Sequence, residues 1–183
     1  MTVGVLALQG DFEAHRKAVE SAGGRAVEVR TAAELEAVDG LIIPGGESTT
    51  LLKLIGIEQL EESLRRFAAT KPVFGTCAGA ILLARRVTHP EQPSLGLIDI
   101  EIERNAYGRQ VDSRIAPIET AEGKIEAVFI RAPIIRSLGE GVRTLATYQG
   151  DPVWVEQGRH MATTFHPELS GSALVHRRFL SKL

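Results

Sequence analysis

The chain has 183 residues, 44% hydrophobic and 24% charged, enough for one well-filled core and short for two, so a single domain over 1–183 is expected. Its 21 Lys and Arg against 23 Asp and Glu leave a net charge of −2, which recommends neither nucleic acid nor an anionic membrane as a partner. One cysteine excludes an internal disulfide and a multi-cysteine metal site, and a reduced thiol suits a cytoplasmic setting. Met1 leads directly into an apolar strand without a basic n-region, so no signal peptide is expected, and no apolar run approaches about 18 residues.

In chain order, residues 3–8 form a continuous apolar strand, and Asp11 caps a helix that runs to Ser21 and stops at Gly23-Gly24. Residues 26–29 form a second strand, and Thr31-Ala-Ala-Glu34 is a capping box that opens a short helix. Leu41-Ile-Ile43 runs into Pro44-Gly-Gly46, after which Ser48 or Thr49 is the expected cap of the next helix. Ile57, Leu60, Leu64 and Phe67 fall at three- and four-residue spacing, which predicts one face of an amphipathic helix ending before Lys71-Pro72. Strands alternating with helices in this way imply a three-layer α/β fold, a mostly parallel central sheet flanked by helices. Further on, residues 97–103 alternate Ile98, Ile100 and Ile102 with acidic residues and read as a half-exposed edge strand. Short strands at 127–130, 145–148, 153–157 and 161–165 precede a closing helix over 173–180.

The most informative segment is Val73-Phe-Gly-Thr-Cys77-Ala-Gly-Ala-Ile-Leu-Leu83. Cys77 falls between an apolar strand and a run of helix formers, bracketed by Gly75 and Gly79 as G-x-C-x-G. Hydrolases place a nucleophile in this way on a strained turn, where small neighbours relieve crowding. Helix N–H groups there favour a thiolate, and the backbone N–H of Ala78 becomes an oxyanion donor. Taken alone, the same cysteine also fits a small buried hydrophobe. Thr164-Phe-His166-Pro-Glu168-Leu169 supplies a possible partner. Pro167 keeps His166 out of the helical region, so an extended backbone would aim His166 and Glu168 to one side, a general base held by a carboxylate. A solvated histidine at the sheet edge is the competing reading. Pro44-Gly-Gly-Glu-Ser-Thr-Thr50 can form an anion-binding nest in which Gly46 offers a second oxyanion donor, or else a tight turn with a Ser cap. It lacks the pattern of a nucleotide P-loop. In a parallel sheet these three segments would share the rim beyond the carboxyl ends of the strands. His15, His89, His160 and His176 have no metal-ligand spacing, so neither a metal nor a catalytic role is assigned to them.

With these motifs in place, the chain resembles the class I glutamine amidotransferases, which have a flavodoxin-like fold and a Cys-His-Glu triad. Leu8-Gln9-Gly10, Pro44-Gly-Gly-Glu-Ser-Thr-Thr50, Arg104-Asn-Ala-Tyr-Gly-Arg-Gln-Val-Asp112, Phe129-Ile-Arg-Ala-Pro133 and Phe165-His-Pro-Glu-Leu169 make it similar to the PdxT or Pdx2 family, the glutaminase subunits of pyridoxal 5'-phosphate synthase. The resemblance implies Cys77 as nucleophile, His166 as base and Glu168 as its orienting partner, with the oxyanion held at Gly46 and Ala78. It also implies glutamine contacts at Gly46, Glu47, Ser48, Arg104, Ile130 and Arg131, and a role for Gln9 in coupling the site to a partner. An arginine such as Arg104 suits the α-carboxylate of L-glutamine and Glu47 its α-ammonium; Arg109 reads as a solvated arginine. No cofactor is implied. The implied partner is a barrel-shaped PdxS or Pdx1 synthase subunit in a large hetero-oligomer, which would use the ammonia to build pyridoxal 5'-phosphate. A stand-alone cysteine hydrolase and a non-catalytic thiol sensor are the other classes that Cys77 permits.

Overall fold

The computed structural model describes residues 1–106 and 113–183; Arg109 and the rest of 107–112 lie outside the described residues. The strands are β1 (Thr2–Leu6), β2 (Arg25–Val29), β3 (Gly40–Ile43), β4 (Val73–Thr76), β5 (Ala84–Thr88), β6 (Ile98–Glu103), β7 (Ser113–Thr120), β8 (Gly123–Ile130), β9 (Ile134–Leu138), β10 (Arg143–Tyr148), β11 (Asp151–Gln157) and β12 (His160–Thr163). The helices are α1 (Phe12–Ser21), α2 (Ala32–Glu36), α3 (Ser48–Ile57), α4 (Glu61–Thr70), α5 (Ala78–Leu83) and α6 (Leu174–Leu180), with a 3₁₀ turn at Pro167–Leu169.

Among the described residues the central sheet has seven strands in the order β10-β11-β12-β4-β3-β1-β2. The run from β12 to β2 is parallel, and β11 and β10 add on antiparallel. Successive residues of β3 face opposite sides: Leu41 and Ile43 join one core with Leu51, Ile55, Leu64 and Phe67, while Ile42 joins another with Val19, Phe74, Val175 and Phe179. A strand buried on both faces must be apolar throughout, which is why β3 reads as an unbroken Leu-Ile-Ile. The α/β three-layer fold expected from the sequence is therefore the one formed, with helices α2 to α5 on one face and α1 and α6 on the other.

Local signals were sound at several element starts. Asp11 accepts from the Ala14 N–H, and Thr31 and Glu34 form the reciprocal capping box, a device worth about 1 kcal/mol. Elsewhere the structure differs. Glu47, rather than Ser48 or Thr49, caps α3, accepting from the Thr49 and Thr50 N–H groups; its longer side chain reaches two donors, and Ser48 is already inside the helix. The predicted helical face through Ile57 is split between α3 and α4, because Gln59 takes φ +54 and breaks the ladder. Ile57 is consequently 62% exposed. β6 is not an edge: it lies between β5 and β9 in a second sheet, and its buried isoleucines mark one covered face. β5, β7 and β9 are further strands that the sequence pattern had not separated out, and the strand expected at 127–130 is the end of β8, which forms a hairpin with β7.

The closing helix is pinned electrostatically. Glu156 on β11, with its side chain 7% exposed, meets Arg178 at 2.7 Å, Lys182 at 3.0 Å, and Arg143. Burial pushes its carboxyl up, but hydrogen bonds from Arg178, Lys182 and Arg143 more than offset this and hold it at about 2. Removing the carboxylate leaves three cations together, so Glu156→Gln is expected to cost about 1–3 kcal/mol in urea unfolding at pH 7, a buried-pair penalty reduced by the exposure of Arg143. Because the unfolded carboxyl takes its proton first on acidification, the wild-type advantage should be complete above pH 4.5 and shrink as pH falls toward 2. Urea melts of both proteins across that range check the sign; a constant difference would contradict it.

Candidate active site

Four parallel strands deliver their C-terminal ends to one rim. β1 leads into Gln9 and Gly10, β3 into Pro44-Gly45-Gly46, β4 into Cys77, and β12 into His166. Parallel pairing sets Thr163 opposite Thr76 and Gly75 opposite Ile43, and the Cys77 N–H donates to the Thr163 carbonyl at 2.9 Å. Crossover topology thus brings together residues almost 90 positions apart in the chain.

Cys77 stands at a strained corner, with φ +48 and ψ −105, immediately before α5. Its glycine neighbours are steric requirements. A Cβ on Gly79 would lie 2.0 Å from the Ile43 carbonyl oxygen, and one on Gly75 would lie 2.5 Å from the backbone of Gly79. The side chain is buried, and Sγ lies 3.8 Å from the Ile130 carbonyl oxygen at the end of β8.

His166 and Glu168 meet, though not through the extended backbone expected. His166 has φ −103 and ψ 87, and Pro167 opens a 3₁₀ turn that swings Glu168 back, so Nδ1 and Oε1 approach to 2.7 Å. The His166 N–H donates to Val128 O at 2.8 Å, tying the loop to β8. Burial pushes the imidazole down, but its hydrogen bonds and charge interactions with Cys77 and Glu168 outweigh this and raise it to about 10. The ring lies between Cys77 and the Glu168 carboxylate, and both neighbours favour its protonated form.

The glycine turn after β3 fills the space beside this pair. A Cβ on Gly45 would come within 2.5 Å of His166 Cε1 and 3.4 Å of Cys77 Cβ. Gly46 has φ +146, which favours glycine. Gln9 lies over it, and its Oε1 accepts the Glu47 N–H at 3.2 Å. Glu47 is held at about 2: burial raises it, while bonds from Thr50 and Thr49 prevail. Arg104, with only 12% of its side chain exposed, reaches Glu47 Oε1 at 3.5 Å and Thr49 Oγ1 at 3.0 Å. Ser48 is buried and donates to Gln92 Oε1 at 3.2 Å. Arg131, next to Ile130, is exposed at φ +46, and Ala78 is the first residue of α5.

The structure thus gathers Cys77, His166 and Glu168 with the Gly45-Gly46 turn and the Ile130 carbonyl, and it pairs Arg104 with Glu47. Sequence reasoning passed over Gly45, whose missing side chain makes room for the imidazole, and over His15, which lies 3.3 Å from the second oxygen of Glu168. The available signal for His15 was its position on the buried face of α1, one turn before Val19.

Comparison with known proteins identifies the family. The model of the SNO glutamine amidotransferase family matches residues 5–183. The chain is 60% identical to the pyridoxal 5'-phosphate synthase subunit PdxT of Solibacter usitatus, with 99% of this chain and 98% of the relative covered. It is 53% identical to the PdxT of Koribacter versatilis over 98% of this chain and 94% of the relative. A crystal structure of a glutamine amidotransferase superposes with a TM-score of 0.92 at 48% identity, covering 98% of this chain and 97% of that one. Among the described residues, no helix is long and apolar enough to cross a membrane. The chain belongs to the SNO glutamine amidotransferase family and is a glutamine-hydrolysing amidotransferase of the PdxT type.

Proposed function

We propose that residues 1–183 act as one glutaminase domain that hydrolyses L-glutamine to L-glutamate and ammonia through a thioester on Cys77. The ammonia passes to a PdxS/Pdx1-type synthase subunit for pyridoxal 5'-phosphate synthesis. The observation carrying this reading is the strained Cys77 elbow beside the buried His166 imidazole that is hydrogen-bonded to Glu168. The kinship with PdxT subunits supports the choice of partner.

In the first step Cys77 Sγ attacks the side-chain carbonyl carbon of glutamine. A C–S bond forms, the carbonyl π pair moves to oxygen, and the N–H groups of Gly46 and Ala78 receive the oxyanion. Collapse of the tetrahedral species breaks the C–N bond as His166 gives its proton to the departing nitrogen. Neutral His166 then takes a proton from water, the resulting hydroxide attacks the thioester, and Cys77 leaves with glutamate released. Glu168 keeps the ring in the tautomer that presents Nε2 to these transfers. Arg104 clamps the α-carboxylate, and Glu47, ionised across the physiological range, attracts the α-ammonium. Ser48, Ile130 and Arg131 complete the glutamine site from the start of α3 and the end of β8.

Gln9 is the coupling element. Its grip on the Glu47 N–H fixes the peptide next to the Gly46 donor, and docking of the synthase at this rim re-aims that donor. Ammonia release should therefore rise by about 10²-fold when the synthase subunit is added, the worth of one oxyanion donor. Glutamine labelled with ¹⁵N in the amide tests the whole reading at once: the label should enter pyridoxal 5'-phosphate when pentose and triose phosphates are supplied. Full turnover without a partner, and no label in the product, would instead identify a stand-alone glutaminase.

A further inference from the structure

Behind Glu168 the protein buries two imidazoles that no step above uses. His15 comes from α1 and His176 from α6, and both are 0% exposed. Each packs edge-on against Phe74 of β4. His176 Nε2 lies 3.1 Å from His15 Nδ1, and His15 Nε2 lies 3.1 Å from Thr76 Oγ1 and 3.3 Å from Glu168 Oε2. Glu168 thus has one oxygen on His166 and the other facing His15. That second oxygen is fully buried and makes no well-directed hydrogen bond of its own.

With Glu168 ionised, these distances fit one assignment of the protons. A carboxylate only accepts, and a bare ring nitrogen at 3.3 Å would set lone pair against lone pair, so His15 Nε2 carries hydrogen. Its hydrogen-bond partner is Thr76 Oγ1 at 3.1 Å, and the positive end of the N–H dipole meets Glu168 Oε2 at 3.3 Å. His15 Nδ1 is then an acceptor and His176 Nε2 its donor, which leaves His176 Nδ1 as a bare acceptor. That atom is buried without a hydrogen-bond partner. The chain needs both rings neutral. Burial pushes His15 well below its ordinary value, with the His176 and His166 charges adding to the effect, and burial alone takes His176 to about 4.

We propose that His15, oriented by His176, is a positioning residue for glutamine hydrolysis: its Nε2–H holds the second oxygen of Glu168, so that the first oxygen keeps the His166 ring aimed at Cys77. The proposal rests on the assignment of Cys77, His166 and Glu168 as the reacting groups. Its physical basis is that a buried carboxylate with one unpaired oxygen can rotate or take up a proton, and either change releases His166. Three separate elements, α1, β4 and α6, converge on that one oxygen through His15, Thr76 and His176, which ties the packing of the sheet's far layer to the orientation of the base.

Two experiments on the full chain decide it. In the complex with a synthase subunit, His15→Leu should lower kcat by about 10- to 100-fold, the usual effect of losing an outer hydrogen-bond partner, with KM for glutamine little changed. His15→Gln, whose amide N–H₂ can stand in for Nε2–H, should recover most of the loss. Equal impairment in both variants, or a rise in KM with kcat intact, would mean a packing role and overturn the proposal. Imidazole ¹⁵N NMR of the wild-type chain does not depend on whether the variants fold. It should show His15 and His176 as neutral Nε2–H tautomers that do not titrate between pH 5 and 8; an Nδ1–H tautomer at His15, or titration in that range, would overturn the proposal. Cys77→Ala serves as the control: if it stays active, the underlying catalytic assignment falls, whereas an inactive Cys77→Ala with a failed His15 series rejects the positioning role alone.

Discussion

Cys77→Ala should abolish glutamine hydrolysis, lowering kcat on the order of 10⁵-fold or more, the scale seen when a covalent nucleophile is removed from an otherwise intact site. The proposed oxyanion donors and the proposed contacts of Arg104 and Glu47 do not depend on the sulfur, so glutamine should still bind and any residual rate should reflect binding and polarisation alone. A second readout is particular to this elbow. At φ +48 and ψ −105 an L-residue carries about 1–3 kcal/mol of backbone strain, which glycine escapes at an entropic cost of about 0.5–1 kcal/mol. Cys77→Gly should therefore be about 1 kcal/mol more stable than Cys77→Ala, the direction that an N-cap position also favours, while both are inactive. Thermal or urea unfolding of the two variants, with coupled ammonia assays, measures both effects. If the alanine variant is the more stable, the strained corner is not the state the protein populates.

Much of this geometry was legible because it rests on short-range rules. Residues 3–6 of β1, all of β3 and Val73-Phe74 of β4 had to be apolar once the sheet was covered on both faces, and the glycines around Cys77 marked backbone approaches that a side chain would block, as the 2.0 Å approach of a Cβ at Gly79 bears out. Other features depended on tertiary context. Alternation in β6 reported which face is covered and carried no information about whether the strand has neighbours, so a central strand of a small sheet looked like an edge. Ala84-Arg-Arg continues a helical composition, yet α5 stops at Leu83 and β5 begins at Ala84. In β7, Pro117 argues against a strand, but a two-stranded hairpin leaves it an unpaired side to turn outward.

The site divided along the same line. Cys77 and the His166-Pro167-Glu168 turn carry their chemistry in a few adjacent residues. His15, Thr76 and His176 lie far apart in sequence and meet only through sheet order and helix packing, so spacing rules written for metal ligands were blind to them. The Glu47 cap shows a related limit. Sequence favoured the short side chains of Ser48 and Thr49, and the choice turned on Glu47 having two oxygens that bond the Thr49 and Thr50 N–H groups at 3.1 and 2.7 Å while Oε1 also faces Arg104. One carboxylate thus starts α3 and meets Arg104, so the helix and the proposed glutamine site share a single anchor.

Gly45→Ala should separate activity from stability more sharply than any change among the charged residues. Gly45 does not have a positive φ, so its backbone accepts alanine, and the substitution even removes some chain entropy from the unfolded state. The one obstacle is His166: the new Cβ would sit 2.5 Å from Cε1, with Nδ1 at 3.2 Å. That ring cannot swing aside cheaply, because Nδ1 is held by Glu168 at 2.7 Å and Pro167 fixes the chain behind it. Either the imidazole or the glycine turn must move by several tenths of an ångström, which displaces the general base or the Gly46 donor relative to Cys77. Misplacement on this scale costs about 10²-fold in rate, so kcat should fall by about that factor while the unfolding midpoint shifts little. Gly79→Ala provides the contrast, since its Cβ would meet the Ile43 carbonyl at 2.0 Å and backbone does not yield; there the loss should appear in stability as well. Wild-type turnover in Gly45→Ala would show that the turn adjusts freely, and the close packing of glycine against imidazole would then have no part in catalysis.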